Sequence, residues 1–182
     1  RTIGADSLPE LERLAGAALT QADLVIVTGG ASVGERDFAK PMFEAQGLEL
    51  LFAKVAIKPG KPVWLGRAQG KWVLGLPGNP TSAIVTARLF LLPLLAALQG
   101  LPISDVLRWR RLPLVASLPF NGARETFVRA VWEAEGVAPI GNQDSGVQGA
   151  LARADWLIRR APNAPAEAVG GLVRALAFEP GC

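Results

Sequence analysis

Leu11, Leu14, Ala15 and Ala18 recur three and four residues apart, the spacing that places side chains on one face of a helix. Ser7-Leu8-Pro9-Glu10 ahead of them reads as a capping box, with Ser7 accepting from the Glu10 amide and Glu10 reaching back. Together they predict a helix over Leu8–Gln21. Asp23-Leu24-Val25-Ile26-Val27-Thr28 then forms an apolar, β-branched run that stops at Gly29-Gly30. Such a run predicts a central parallel strand covered on both faces. The pattern next predicts a helix over Asp37–Gln46 and a strand over Leu50–Ile57. Strands at Val63–Arg67 and Lys71–Leu76 flank a turn at Ala68-Gln69-Gly70. Asn79 and Pro80 suit the N-cap and first turn of a helix running to about Gln99, which Pro93 should kink or end early.

The pattern changes at Gly100–Ser104. Beyond it Leu112–Leu118, Thr126–Glu133, Trp156–Arg160 and Leu172–Phe178 read as short strands between Gly, Pro and Asn, and only Val147–Ala154 suggests a helical turn or two. The expectation is an α/β domain with a mostly parallel sheet over 1–102, followed by a small all-β barrel over 103–182.

The 182 residues are 50% hydrophobic and 19% charged, which supports a buried core and argues against disorder. Without a histidine, and with Cys182 as the only cysteine, Ser-His-Asp or Cys-His catalysis, an internal disulfide and a classical zinc site are all excluded or disfavoured. Chemistry must run on Asp, Glu, Lys, Arg, Ser, Thr and backbone amides. The net charge of +3 is unevenly spread. No acidic residue falls between Leu50 and Ser104, where Lys54, Lys58, Lys61, Arg67, Lys71 and Arg88 lie. This one-sided stretch suggests an anionic partner, or else a solvated face balanced elsewhere in the fold. The most apolar run, Ala83–Leu98, contains Arg88 and Pro93 and falls short of a membrane span, so a buried helix is expected instead. The chain opens at Arg1 without a signal peptide, which reads as a fragment or processed piece of a cytoplasmic protein.

Three loops stand out. Thr28-Gly29-Gly30-Ala31-Ser32-Val33-Gly34-Glu35-Arg36-Asp37 links a strand to a helix, where glycines let backbone amides approach an anion. Lys58-Pro59-Gly60-Lys61-Pro62 is a stiff cationic loop, and fixed ammonium groups lose little entropy on binding an oxyanion. Gly75-Leu76-Pro77-Gly78-Asn79-Pro80-Thr81-Ser82 offers a second helix entry with free amides and two hydroxyls. Each is also compatible with a plain structural turn.

Taken in order, the three loops resemble the MoeA family of molybdopterin molybdenumtransferases, which includes the E domain of gephyrin. The later segments Arg124-Glu125-Thr126-Phe127-Val128-Arg129-Ala130, Gln143-Asp144-Ser145-Gly146 and Leu151-Ala152-Arg153-Ala154-Asp155 resemble that family's C-terminal β-barrel domain. Thr126 stands where the family usually has Glu, and Asp155 where it often has Asn. The resemblance implies the end of a three-layer molybdopterin-binding domain, N-terminally truncated, plus the barrel. It implies insertion of molybdenum from molybdate into adenylylated molybdopterin, with release of AMP and with Mg²⁺ as cofactor.

By motif match, Asp37, with Asp6 as a weaker match, would be catalytic acids, Asp37 near the metal. Lys58 and Lys61 would hold molybdate, with Pro62, Ser82, Arg124 and Ser145. Gly29, Gly30, Ser32, Gly34, Pro77, Gly78 and Asn79 would lie against the pterin nucleotide. The residue chemistry agrees: molybdate is a dianion suited to ammonium, guanidinium and hydroxyl donors, and Mg²⁺ prefers one or two carboxylates with phosphate oxygens. Asp37 could equally cap the following helix, and Arg124 and Arg129 could be surface charges of the barrel.

The family also implies small-molecule substrates, a homodimer formed through the full-length protein, and transfer partners in the cofactor pathway. A molybdopterin adenylyltransferase-like pterin-nucleotide binder and a non-catalytic scaffold fragment are the alternatives; the former lacks the Lys-Pro-Gly-Lys-Pro loop and the barrel. No nucleic-acid partner and no membrane are expected, since Phe127 and Trp132 have opposite strand parity and offer no stacking platform. The isolated fragment is expected to be inactive, because N-terminal domains help form the family's dimeric cleft; turnover by this chain alone would overturn that.

Overall fold

The structure, a computed structural model, describes residues 7–29, 38–144, 146 and 148–179. It divides into two compact units, Arg1–Val55 with Gly60–Ala83, and Ala56–Pro59 with Ile84–Cys182. The division falls inside the long apolar helix, earlier than the expected boundary at residue 102, and hands four residues of the cationic loop region to the second unit.

In the first unit, α1 (Leu8–Gln21) forms with Pro9 in its first turn and Ala15 and Leu19 buried. Ser7 occupies the N-cap position, yet its side chain makes no capping hydrogen bond, so the capping box is not formed. β1 (Leu24–Thr28) follows. The expected helix over Asp37–Gln46 is reduced to the single turn α2 (Pro41–Glu44), with its first residue outside the described segment. Pro41 fixes its start, and Gly47, at φ 73°, turns the chain out of it. The expected strand over Leu50–Ile57 is split: β2 (Glu49–Phe52) stays here, while β3 (Ile57–Lys58) pairs in the second unit. β4 (Trp64–Ala68) and β5 (Lys71–Leu76) form the expected hairpin, with Gln69 and Gly70 both at positive φ, 51° and 75°. That two-residue turn matches the right-handed twist of the strands it joins.

The sheet order is β1-β5-β4-β2. β1 runs parallel to β5, whereas β5–β4 and β4–β2 are antiparallel. The mostly parallel sheet expected from the sequence is thus met by β1–β5 alone among the described strands. Among the described strands β1 pairs on one side only, with β5, and Ile26 is 43% exposed. A tight hairpin can join only antiparallel neighbours, which is why β4 and β5 depart from the expectation. Trp64, fully buried, packs edge-on against Phe43 with ring centroids 6.4 Å apart, and its indole covers Gly75.

The helical stretch α3 (Pro80–Leu98) has three parts, α-helical at Pro80–Thr86, π-helical at Ala87–Leu91 and α-helical again at Leu92–Leu98. The Asn79 side chain accepts from the Ser82 amide at 3.1 Å, as a cap should. Pro93 does not end the helix. Its ring would crowd the carbonyl four residues back, and the wider π turn just ahead of it opens the room it needs. At 19 residues and a mean hydropathy of 1.8, α3 is long and apolar enough to cross a membrane by length and composition, contrary to the shorter run read from the sequence. Part of this helix is buried within the protein, including Val85 and Ala96, and buried Arg88 donates from Nε to the Ala177 carbonyl at 2.8 Å, while Ile84 and Leu98 are exposed. Burial pushes that guanidinium below its ordinary pKa.

The second unit is the expected small β domain. β6 (Arg110–Pro113), β7 (Glu125–Glu133), β8 (Gly136–Pro139), β9 (Trp156–Arg160) and β10 (Leu172–Ala177) join β3 in a sheet of order β3-β7-β9-β10-β6, with β8 paired to β7. One sheet face buries Val128, Ala130, Ile158, Val173 and Ala175 against Leu114, Leu118 and Val137. The period-2 alternation of β7 predicted this face; β8 was not predicted, because four residues of Gly-Val-Ala-Pro carry no alternation of their own.

Gly75→Ala is expected to lower stability at the upper end of roughly 1–3 kcal/mol, because its Cβ would overlap the Trp64 indole. Gly16→Ala, inside α1 and facing only the end of the Gln46 side chain at 3.3 Å, is expected to raise it by about 0.5 kcal/mol. Urea unfolding of the two variants checks both signs.

Candidate functional site

β3 contributes only Ile57 and Lys58, yet it sets the site. It pairs in parallel with the start of β7, Ile57 opposite Glu125 and Lys58 opposite Thr126, and the Glu125 amide donates to the Ala56 carbonyl at 3.0 Å. Arg124 reaches back to donate from Nη1 to the Ile57 carbonyl at 3.4 Å. Lys58 and Arg124, far apart in sequence, therefore line one cavity of about 590 Å³ in the second unit. Both side chains are solvent-exposed, and neither has an ion-pair partner among the described residues.

Buried polar groups hold the walls of this cavity. Asn121 donates its side-chain amide to the carbonyls of Arg124, Arg160 and Ala161 at 3.0, 3.3 and 2.7 Å. Arg160, buried, donates from Nη2 to the carbonyls of Pro119 and Pro165. Gln143 clasps the backbone of Arg129, accepting from its amide and donating to its carbonyl, both at 2.9 Å. Arg129, 1% exposed, donates from Nη2 to the carbonyls of Asp144 and Asn142. It is not the surface charge that the sequence left open. Burial pushes its guanidinium below the ordinary value, and the Asp144 charge pushes it part of the way back. The other face of the cavity is apolar, with Val128, Pro139 and Ile140, and with Phe120 65% exposed at its edge.

The first unit gathers a second group of the expected residues. Because β1 and β5 run in parallel, with Thr28 opposite Leu76, their C-terminal loops emerge side by side. Gly29 (φ 89°) and Gly78 meet so closely that a Cβ at Gly78 would stand 3.2 Å from the Gly29 Cα. Pro77 and Ser82 are buried beside this junction in sequence, and Asn79 caps the helix. Lys61 is exposed and holds Val55 through its carbonyl, which accepts the Val55 amide at 3.1 Å, and Pro62 follows it. Asp6, Gly30, Ser32, Gly34, Asp37 and Ser145 lie outside the described residues. No cluster of His, Cys, Asp and Glu suited to a metal occurs among the described residues.

Asn121 and Phe120 were missed by the sequence reading. Asn121-Gly122 is a turn signal that could have drawn attention, but its three acceptors are set by pairing with β9 and by the turn before β7, which a linear reading does not contain. Asn121→Ala is expected to cost about 1–3 kcal/mol, and Asn121→Asp more, since a carboxylate would face three carbonyl oxygens. Thermal melting of both variants measures the order; Asp milder than Ala would refute the donor role.

Residues 1–97 match the family model "Probable molybdopterin binding domain", and residues 111–178 match "MoeA C-terminal region (domain IV)". A molybdopterin molybdenumtransferase of Haemophilus influenzae is 52% identical over 95 residues, covering 52% of this chain and 23% of that protein. Molybdopterin molybdenumtransferase 2 of Mycobacterium tuberculosis is 39% identical over 118 residues, covering 60% of this chain and 28% of that protein. The chain thus spans about a quarter of the length of these relatives. A crystal structure of the molybdopterin biosynthesis MoeA protein of Pyrococcus horikoshii superposes with a TM-score of 0.77 at 27% identity, over 97% of this chain and 42% of that one. With both domain models in order along the chain and that architecture in common, the chain belongs to the MoeA family.

Proposed function

We propose that this chain is the oxyanion-holding part of a molybdopterin molybdenumtransferase, which inserts molybdenum from molybdate into adenylylated molybdopterin and releases AMP. The observation that carries this reading is the convergence of Lys58 and Arg124 in one cavity of the β-rich unit. An ammonium and a guanidinium with no ion-pair partner among the described residues are charge-assisted donors suited to a tetrahedral dianion. The Ile57 carbonyl and the Asn121-held turn fix Arg124 at both ends, so little ordering is left to be done on binding. Ser145, outside the described residues, follows the loop that Arg129 and Gln143 hold and joins the oxyanion set in this reading.

In the first unit, the close Gly29–Gly78 backbone approach at the ends of β1 and β5 supports the assignment of this region to the pterin nucleotide, with Gly30, Ser32, Gly34, Pro77 and Asn79. Lys61, Pro62 and Ser82 belong to the molybdate set by motif. The assignments of Asp37 and Asp6 to Mg²⁺ and to catalysis rest on motif alone, and no step is derived through the ion. The domain division at residue 102, a homodimer, pathway transfer partners and a cytoplasmic site belong to the same reading. The match of 111–178 to the MoeA C-terminal region favours it over an adenylyltransferase-like binder.

Calorimetric titration of the chain with molybdate and with sulfate, at equal ionic strength, tests the proposal. Molybdate is expected to bind in preference to sulfate, and Lys58→Ala and Arg124→Ala each to weaken it by about tenfold or more. Equal, salt-sensitive binding of both anions, or binding indifferent to both substitutions, would overturn it.

A further inference from the structure

The sheet face opposite the apolar core of the second unit carries three arginines in one lateral row. Register places Arg174 of β10 directly opposite Arg111 of β6 on one side and Arg159 of β9 on the other. Like charges directly opposite on neighbouring strands are destabilising. The row is compensated only at one end: Arg159 donates from Nε to Glu125 Oε1 at 2.5 Å. Arg174 and Arg111 are exposed and have no ion pair among the described residues. Trp109 lies beneath the row, with the Arg159 and Arg174 guanidiniums 5.6 and 5.5 Å from its ring centroid. Its π face attracts both cations and helps them to lie near one another. Leu172, 55% exposed, adjoins Arg174 on the same face of β10.

We propose that this row, Arg111–Arg174–Arg159, is a docking surface for an acidic helical segment of a protein partner. Adjacent strands set the backbones that carry these arginines about 5 Å apart, and the flexible side chains project from that row. Acidic residues at i and i+4 of a helix stand about 5–6 Å apart, so successive carboxylates can meet successive arginines. Arginine and tryptophan are among the side chains enriched at protein interfaces. A single-stranded nucleic acid fits less well: it would stack bases on an open aromatic face, and Trp109 is already occupied by two guanidiniums and by Phe127, centroids 6.3 Å apart.

The test is fluorescence anisotropy of the chain with a labelled helical peptide carrying Glu pairs at i and i+4. Its Gln-for-Glu counterpart and a single-stranded DNA of equal charge are run beside it at physiological salt. The Glu peptide is expected to bind and the Gln peptide not. Arg111→Gln and Arg174→Glu are each expected to weaken binding by about tenfold or more. Lys58→Ala, in the oxyanion cavity, should leave it unchanged, which separates this surface from that site. Arg111→Gln relieves repulsion and should melt no lower than the parent, so its loss of binding cannot be a loss of fold. Absence of binding, equal binding of the Gln peptide, indifference to both arginine substitutions, or tighter binding of the DNA would each overturn the proposal.

Discussion

Two residues of backbone pairing organise the candidate site. Ile57 and Lys58 are too few to be a strand on their own, and they are extended because the first residues of β7 offer them hydrogen-bonding partners. Arg124 closes the same junction from the side through the Ile57 carbonyl. Without that pairing, Lys58 would be one more cation on a solvated loop, and Arg124 would have nothing to lie against. With it, two positive side chains line one cavity.

The β-rich unit keeps this arrangement with buried cations that donate to backbone carbonyls. Arg129, Arg160 and Arg88 are all buried, and each donates to backbone oxygens. Burying a charge is costly, and the carbonyl dipoles these guanidiniums meet offset part of that cost. The consequence is mechanical: loops at 119–124, 142–144 and 164–165, otherwise free to wander, are tied to strands β7 and β9 by side chains that cannot leave. Rigid walls around exposed donors are what an oxyanion site needs, since the entropy of ordering is spent during folding.

In the first unit a different constraint acts, that of close backbone approach. The Trp64 indole occupies the space a side chain at Gly75 would need, and Gly29 and Gly78 pack nearly Cα to Cα. Gly75 and Gly78 are fixed by their neighbours, and Gly29 by its positive φ. Crowding at the ends of β1 and β5 is thus recorded at Gly75 and Gly78.

The sequence by itself determined the local elements and the chemical alphabet of the site. Helical spacing set α1, the two-residue turn set the β4–β5 hairpin, period-2 alternation set β7, and Asn79 set the start of α3. The absence of histidine and the Lys58–Pro62 loop already pointed to oxyanion binding without metal-hydrolase or triad chemistry. What tertiary structure alone decided was which of these residues meet. The splitting of Leu50–Ile57 between two units, the π turn that accommodates Pro93, the three acceptors of Asn121 and the burial of Arg129 all depend on register between distant strands or on packing across a helix. Hydrophobic periodicity reports which face of a segment is buried, but carries no term for the identity of the neighbour. Lys58 was therefore legible as a cation on a stiff loop, and only its pairing partner made it half of a site.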